Sequence, residues 1–298
     1  MNADEIISDP SISVKATINI CGLHYGLSST NPRGHLMSVQ QQRRRQHWTG
    51  LKMQGKLACL TTADHSVSHA VFKSVALDES IIIFTIKARL QVLPCKLNLS
   101  IWLPDSHSPH CIHHGQEQVT ETMSHILNGC HAYRGLYICR HDRIVDLIAE
   151  SISSTFRSPI ALHKNSTVKP SMFRLCNDDS VFSEISANTP DVVIINEVNR
   201  EVFILEVGCT FDHSLEEAFT TKMLKYQLLE QAISQMGYNC TLLVYIFGSL
   251  GHVHKLVVRG LQMAGLPKRR AKQLARYCSV SAIIGSRAIW RRRCYLYP

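Results

Sequence analysis

PDVVIINEVNREVFILEV, residues 190–207, is the stretch on which the reading of this chain turns. Val192-Val193-Ile194-Ile195 and Val202-Phe203-Ile204-Leu205 are β-branched or aromatic runs, and the polar stretch holding Asn196 and Asn199 between them is turn-prone. This pattern predicts an antiparallel hairpin with strands at 192–195 and 202–207. A turn centred between Val198 and Asn199 sets Asp191 opposite Glu206 on one face, with Cβ atoms about 4.5–5.5 Å apart. Carboxylates so placed repel each other unless a proton or a cation lies between them. A hard divalent cation such as Mg²⁺ or Mn²⁺, which takes one or two carboxylates plus phosphate oxygens, would resolve the conflict. The plainer alternative is two strand-end acids that simply reach solvent.

C-terminal to the hairpin, residues 214–236 read as a helix, with Ser214 and Glu217 as an S-x-x-E capping box and Gly237 as the stop. At about 100° per residue, Leu215, Ala218, Phe219, Tyr226, Leu229, Ile233 and Met236 share one stripe, and Lys222 lies at its centre. An ammonium there must snorkel or meet an anion, and the hairpin offers two. Lys225, at the stripe's edge, reads equally well as a surface charge. A strand at 241–247 and basic helices complete an α/β core. An acid pair with a lysine on the next helix suits phosphodiester hydrolysis, because charge accumulates on the phosphate in the transition state.

N-terminal to the hairpin, residues 157–189 are a polar connector, which puts a domain boundary near 155–170. Residues 143–153 have helical spacing. Residues 107–141 are dense in cysteine and histidine, and Cys111-x2-His114-x10-His125-x4-Cys130 supplies two close pairs of N or S donors, as a tetrahedral zinc site requires. His107, His110, His113, His131, Cys139 and His141 are substitutes that spacing alone does not eliminate. Residues 37–102 look mainly helical, with Leu93-Pro94 breaking the last helix before 97–102. Residues 1–35 show no usable period, and 28–34 read as a loop. The expected division is 1–35 unassigned, 36–106 helical, 107–155 the Cys/His segment with its helix, 156–189 the connector, and 190–298 the α/β domain.

The chain has 298 residues, 45% of them hydrophobic, and a charged fraction of 18%, which supports a folded core and argues against disorder. Its net charge of +9 is unevenly spread: no Asp or Glu follows Glu230, whereas Lys268, Arg269, Arg270, Lys272, Arg276, Arg291, Arg292 and Arg293 crowd the end, interleaved with Tyr277, Trp290 and Tyr295. Such a surface suits a polyphosphate, since neutralised phosphates release counterions and aromatic faces stack on unpaired bases. Apolar runs fall short of the roughly 20 residues of a membrane span, so no membrane partner is expected. The acidic start, Asp4-Glu5, lacks a secretory pattern, so the eleven cysteines are expected as reduced intracellular thiols.

These residues carry a resemblance. Pro190-Asp191 followed by Glu206-Val207-Gly208 resembles the restriction-like nuclease signature Pro-Asp…(Asp/Glu)-x-Lys, with Gly208 at the usual lysine position. Lys222-Met223-Leu224-Lys225-Tyr226 is similar to the Lys-x-x-Lys-Tyr stretch of the endonuclease of site-specific non-LTR retrotransposons, where the lysine sits on the helix. Phe203-Ile204-Leu205-Glu206-Val207 and Leu215-Glu216-Glu217-Ala218 extend the likeness. Members carry a Cys-Cys-His-Cys knuckle ahead of the nuclease, and Glu121-Thr122, His125, Cys130 and Arg140-His141-Asp142 look like its elements. The helical segment around Gln54-Gly55 and 93–102 resembles the thumb-like region after the polymerase palm, whose own aromatic-x-Asp-Asp tetrad is absent; Asn177-Asp178-Asp179 lacks the aromatic.

The resemblance implies a restriction-endonuclease-like fold and a divalent-metal-dependent DNA endonuclease that nicks its target for primed reverse transcription. Asp191 and Glu206 would be metal ligands and Lys222 the catalytic lysine, with Lys225 and Tyr226 accessory. Zn²⁺ would sit on Cys111, His114, His125 and Cys130. The implied partners are DNA and the element's RNA, the implied location the nucleus, and a homodimer is open. The alternative is an inactive relic that binds zinc and nucleic acid without cutting.

Overall fold

The computed structural model describes residues 16–20, 23–27, 32–51, 54–58, 60–73, 77–115, 117–156, 159–176, 180–183 and 185–296. Residues 177–179 and most of the expected 28–34 loop lie outside them. The chain forms two compact units, 1–59 and 60–298. The first holds an antiparallel hairpin, β1 (Ala16–Ile20) and β2 (Leu23–Leu27), then helices α1 (Pro32–Gly50) and α2 (Gln54–Ala58). Strands therefore occur where no sequence period was read.

The second unit begins with α3 (His65–Ser68), α4 (Glu79–Arg89) and α5 (Lys96–Trp102), as the helical reading of this region expects. The Cys/His segment runs into α6 (Arg134–Ser153), which starts about two and a half turns earlier than the spacing indicated. A four-stranded mixed sheet follows, in the order β3-β4-β5-β6, from β3 (Ala161–Lys164), β4 (Val192–Asn196), β5 (Glu201–Thr210) and β6 (Asn239–Gly248). β4 runs antiparallel to both of its neighbours, β3 and β5; β6 joins β5 in parallel, with α7 (Leu215–Gln235) as the crossover. Residues 156–189, read as a connector, fall inside this unit because β3 pairs with β4.

The hairpin register is the expected one: Val192 pairs with Leu205 and Asn196 with Glu201. Its four-residue turn closes with Arg200 in the left-handed region, φ 52°. Alternation along the strands divides their side chains. Val192, Ile194, Leu205, Val207, Leu243, Tyr245 and Phe247 join one core with Ile144, Ile148 and Ile152 of α6, and with helices α8 (Val257–Met263) and α9 (Lys268–Leu296). The intervening positions, including Glu206, Gly208 and Ile246, look toward α7.

α7 buries Leu215, Tyr226, Leu229 and Ile233, as its stripe predicts, and ends at Gly237, φ 90°. Its N-terminus differs from expectation: Ser214 makes no side-chain capping bond. A 3-10 turn at Asp212–Ser214 leads directly into the helix and gives Ser214 φ −103° and ψ 20°, outside the extended backbone that a capping box uses. Among the described residues no helix is long and apolar enough to cross a membrane.

Candidate functional site

Four elements bring the first cluster together. β5 supplies Glu206, only 3% exposed; the residue before β4 supplies Asp191; α7 supplies Lys222; and α6 supplies His141. Lys222 Nζ donates to Glu206 Oε1. Glu206 Oε2 accepts the Asp191 N–H at 3.3 Å, and Asp191 Oδ2 accepts the Val207 N–H at 2.7 Å, so each acid holds the backbone of the other's strand. His141 Nε2 lies 3.3 Å from Asp191 Oδ2, and its Nδ1 lies 3.0 Å from Asp142 Oδ1. His141, Asp142, Gly208 and Lys222 line a cleft of about 380 Å³.

Gly208 explains how the lysine reaches the acids from a helix. A Cβ there would stand 2.6 Å from Ile246 Cδ1 and 3.0 Å from Lys222 Cε. The aliphatic stem of Lys222 thus occupies the space that a side chain at 208 would need.

The electrostatics are mutually dependent. Burial favours protonation of Asp191, but the His141 hydrogen bond and charge, the Val207 N–H and Lys222 together hold its carboxyl below the ordinary range. Glu206 is pushed up, first by burial and then by the Asp191 charge, with Lys222 opposing. Burial would lower His141, yet its hydrogen bonds to Asp191 and Asp142 and the Asp191 charge raise it to about 9, so it is an imidazolium at neutral pH. Tyr226 is buried and donates to the Thr189 carbonyl at 2.8 Å, while Lys225, exposed, donates to the Tyr226 hydroxyl at 2.8 Å. Burial, then the Glu206 and Asp191 charges, push the Tyr226 phenol up, so it remains a donor. His141 is the site residue that sequence reasoning did not assign here; it was one of several surplus ligands in the Cys/His segment.

The second cluster is the donor quartet named from spacing. One ligand atom each of Cys111, His114, His125 and Cys130 lies within 4.8 Å of the others, a group that could hold a metal ion. The two sulfurs are 3.9 Å apart, too far for a disulfide. Nε2 of His114 and of His125 are buried without a hydrogen-bond partner. Burial pushes the Cys130 thiol up to about 11, with the Cys111 charge adding to the rise. His113 is not part of the quartet; its Nε2 faces the Tyr133 hydroxyl at 3.4 Å. Cys111 and Cys130 are free thiols.

The basic C-terminal helix α9 is largely as expected. Lys268, Arg269, Arg270, Arg276, Arg291 and Arg292 are exposed, and Lys272 is half-buried. Arg293 departs from the expected surface: it is 5% exposed and its Nη2 binds Glu121 Oε1 at 2.7 Å, with its guanidinium 5.2 Å from the Trp290 ring centroid. Trp290 is buried too. Glu121, 1% exposed, would otherwise be an unpaired interior charge, and it also accepts the Lys96 N–H at 2.9 Å.

No family model matches this chain, and no curated protein does either.

Proposed function

We propose that the chain is a divalent-metal-dependent DNA endonuclease with a restriction-endonuclease-like core, of the kind that non-LTR retrotransposons carry. The observation that supports this reading is the meeting of Lys222 with the Asp191–Glu206 pair beside an open cleft. Two mutually repelling carboxylates, Glu206 buried and Asp191 partly so, fit a hard cation whose other ligands are phosphate oxygens and water, since the protein offers too few donors for a closed site. Held by Asp191 and Glu206, such an ion would neutralise charge on the scissile phosphate and acidify the attacking water.

The chain's own residues supply the rest. Lys222 brings a positive charge to the cleft on a stem fixed against Gly208, where it stabilises the charge that grows on the phosphate. His141 and the Val207 N–H orient Asp191. Tyr226, through Thr189, anchors the chain entering Asp191, and Lys225 holds the Tyr226 hydroxyl. Cys111, His114, His125 and Cys130 serve as a structural Zn²⁺ site: tetrahedral bonds of about 2.3 Å place two sulfurs roughly 3.8 Å apart, close to the observed 3.9 Å. The exposed cations of α9 would hold DNA, and the element's RNA is a second polyphosphate they suit.

A plasmid-nicking assay tests the reading. With Mg²⁺ or Mn²⁺ the protein is expected to convert supercoiled plasmid to open circle, and Asp191→Ala or Lys222→Ala to lose at least about a hundredfold in rate. Salt-sensitive binding without nicking would identify an inactive nucleic-acid-binding relic instead; equal nicking by the variants would refute the site.

A further inference from the structure

A second concavity lies on the far side of α6 from the acid–lysine cleft. Positions 141 and 143 of a helix point about 200° apart, and while His141 faces the cleft, Arg143 faces a groove of about 570 Å³ between α6, α9 and the 3-10 turn Ala70–Lys73. Leu147, Val280 and Ile284 give it an apolar floor. No acid lines it. Lys73, Arg143 and Arg276 stand around it, and none of them is ion-paired with a described residue. Tyr277 is 57% exposed at its wall, with its hydroxyl accepting from Gln273 at 2.9 Å. A smaller cavity of about 230 Å³ shares Gln273 and Tyr277 and adds Arg270, so the cationic strip continues along α9.

One buried atom indicates what kind of occupant fits. Ser281 is 6% exposed, lines the groove, and its Oγ has no hydrogen-bond partner. A buried hydroxyl left unpaired costs stability, so its persistence at the bottom of an apolar slot points to a ligand with a polar edge. Cations without acids call for repeated negative charge; an apolar floor beside a tyrosine face calls for a flat ring; and the hydroxyl calls for a donor or acceptor on that ring's rim. An unpaired nucleotide has all three, whereas a duplex offers its phosphates but keeps its bases stacked.

We propose that this groove binds an unpaired nucleotide of a single-stranded nucleic acid, with the base against Tyr277 and its edge toward Ser281 Oγ, and flanking phosphates on Lys73, Arg143 and Arg276. The inference rests on the nucleic-acid part of the reading above and is independent of cleavage.

The test measures binding of the full chain, without added divalent ion, to a short single-stranded oligonucleotide carrying 2-aminopurine and to a hairpin duplex with the same number of phosphates. Tyr277→Ala is expected to weaken single-strand binding about tenfold to a hundredfold and to abolish quenching of the 2-aminopurine, with duplex binding changed less than about twofold. Tyr277→Phe retains both signals. Arg276→Gln lowers the salt slope by about one. Ser281→Ala, which removes only an unpartnered hydroxyl, leaves the thermal midpoint unchanged or raised while reducing single-strand affinity severalfold. Unchanged single-strand binding in Tyr277→Ala, an equal loss for strand and duplex, or displacement of the oligonucleotide by an acidic amphipathic peptide that binds more tightly would overturn the inference. A protein that nicks plasmid yet shows no dependence on Tyr277 loses the groove alone; one that shows the dependence without nicking keeps it.

Discussion

Asp191 and Asp212 each meet a histidine beside the sheet, and the two contacts are built for different ends. Asp212, fully buried, accepts the N–H of Leu250 at 2.7 Å, the N–H of His252 at 2.9 Å and the ring Nδ1 of His252 at 2.6 Å. Burial would raise its carboxyl, but these bonds and the His252 charge hold it below the ordinary range, while burial lowers His252. Asp191 sits with a histidine raised to about 9, beside a glutamate pushed up by burial and by Asp191 itself, and its partners His141 and Lys222 line a cleft. The closed pair is shut away from solvent, whereas the open one lies beside a cleft and gathers two carboxylates with the Lys222 ammonium and the His141 imidazolium. A buried aspartate–histidine contact is therefore no sign of chemistry by itself. Several ionisable groups that shift one another's protonation beside an accessible space are the better guide.

The largest expected effect separates the two by stability. Asp212→Ala should lower the unfolding free energy by about 3–5 kcal/mol, because it strips a buried group from its partners, as read from the urea midpoint. Asp191→Ala should shift that midpoint less, because the lost bonds to His141 and the Val207 N–H are partly offset by relief of the repulsion with Glu206, while nicking is lost. Equal destabilisation by both variants would erase the distinction.

Protonation offers a second way to sharpen it. In metal-free protein, imidazole NMR should show His141 titrating near pH 9 and His252 titrating below the ordinary imidazole range. Because the folded pKa of His141 is raised, its contribution to stability is complete below about 6.5 and disappears as pH rises through about 9. The closed pair works the other way: the lowered His252 and the lowered Asp212 both lose their contributions as pH falls. His141→Ala should remove the alkaline limb only.

The smallest effect concerns the seat of the lysine. Gly208→Ala should cost about 1–3 kcal/mol through overpacking against Ile246, and it should slow nicking by displacing the Lys222 stem.

Much of this arrangement was legible in the sequence for reasons of period. Alternating β-branched residues and a polar turn fixed which residue faces Glu206, and the helical stripe pointed Lys222 inward. Ligand spacing named the Cys/His quartet, and the fold selects it from the surplus histidines and cysteines around it. What local pattern does not carry is pairing at a distance. His141 reaches Asp191 across fifty residues, and nothing around it distinguishes it from the other histidines of its segment. Arg293 looked like its neighbours in the basic tail until Glu121 claimed it from 172 residues away. Ser214 met the capping motif, but the turn before it set the wrong backbone angles. The β1–β2 hairpin has Ile18, Ile20, Leu23 and Tyr25 at alternate positions, a signal short enough to be passed over.

The crossover between β5 and β6 also carries a consequence in time. Parallel strands cannot pair until the helix linking them has been made, and α7 is held between its two ends by those strands. A ribosome that has not yet released residues 239–248 has already synthesised both acids and the lysine, but the helix bearing that lysine has no completed sheet to lie on. The acid–lysine cluster is thus complete only after β6 has been made and has paired with β5.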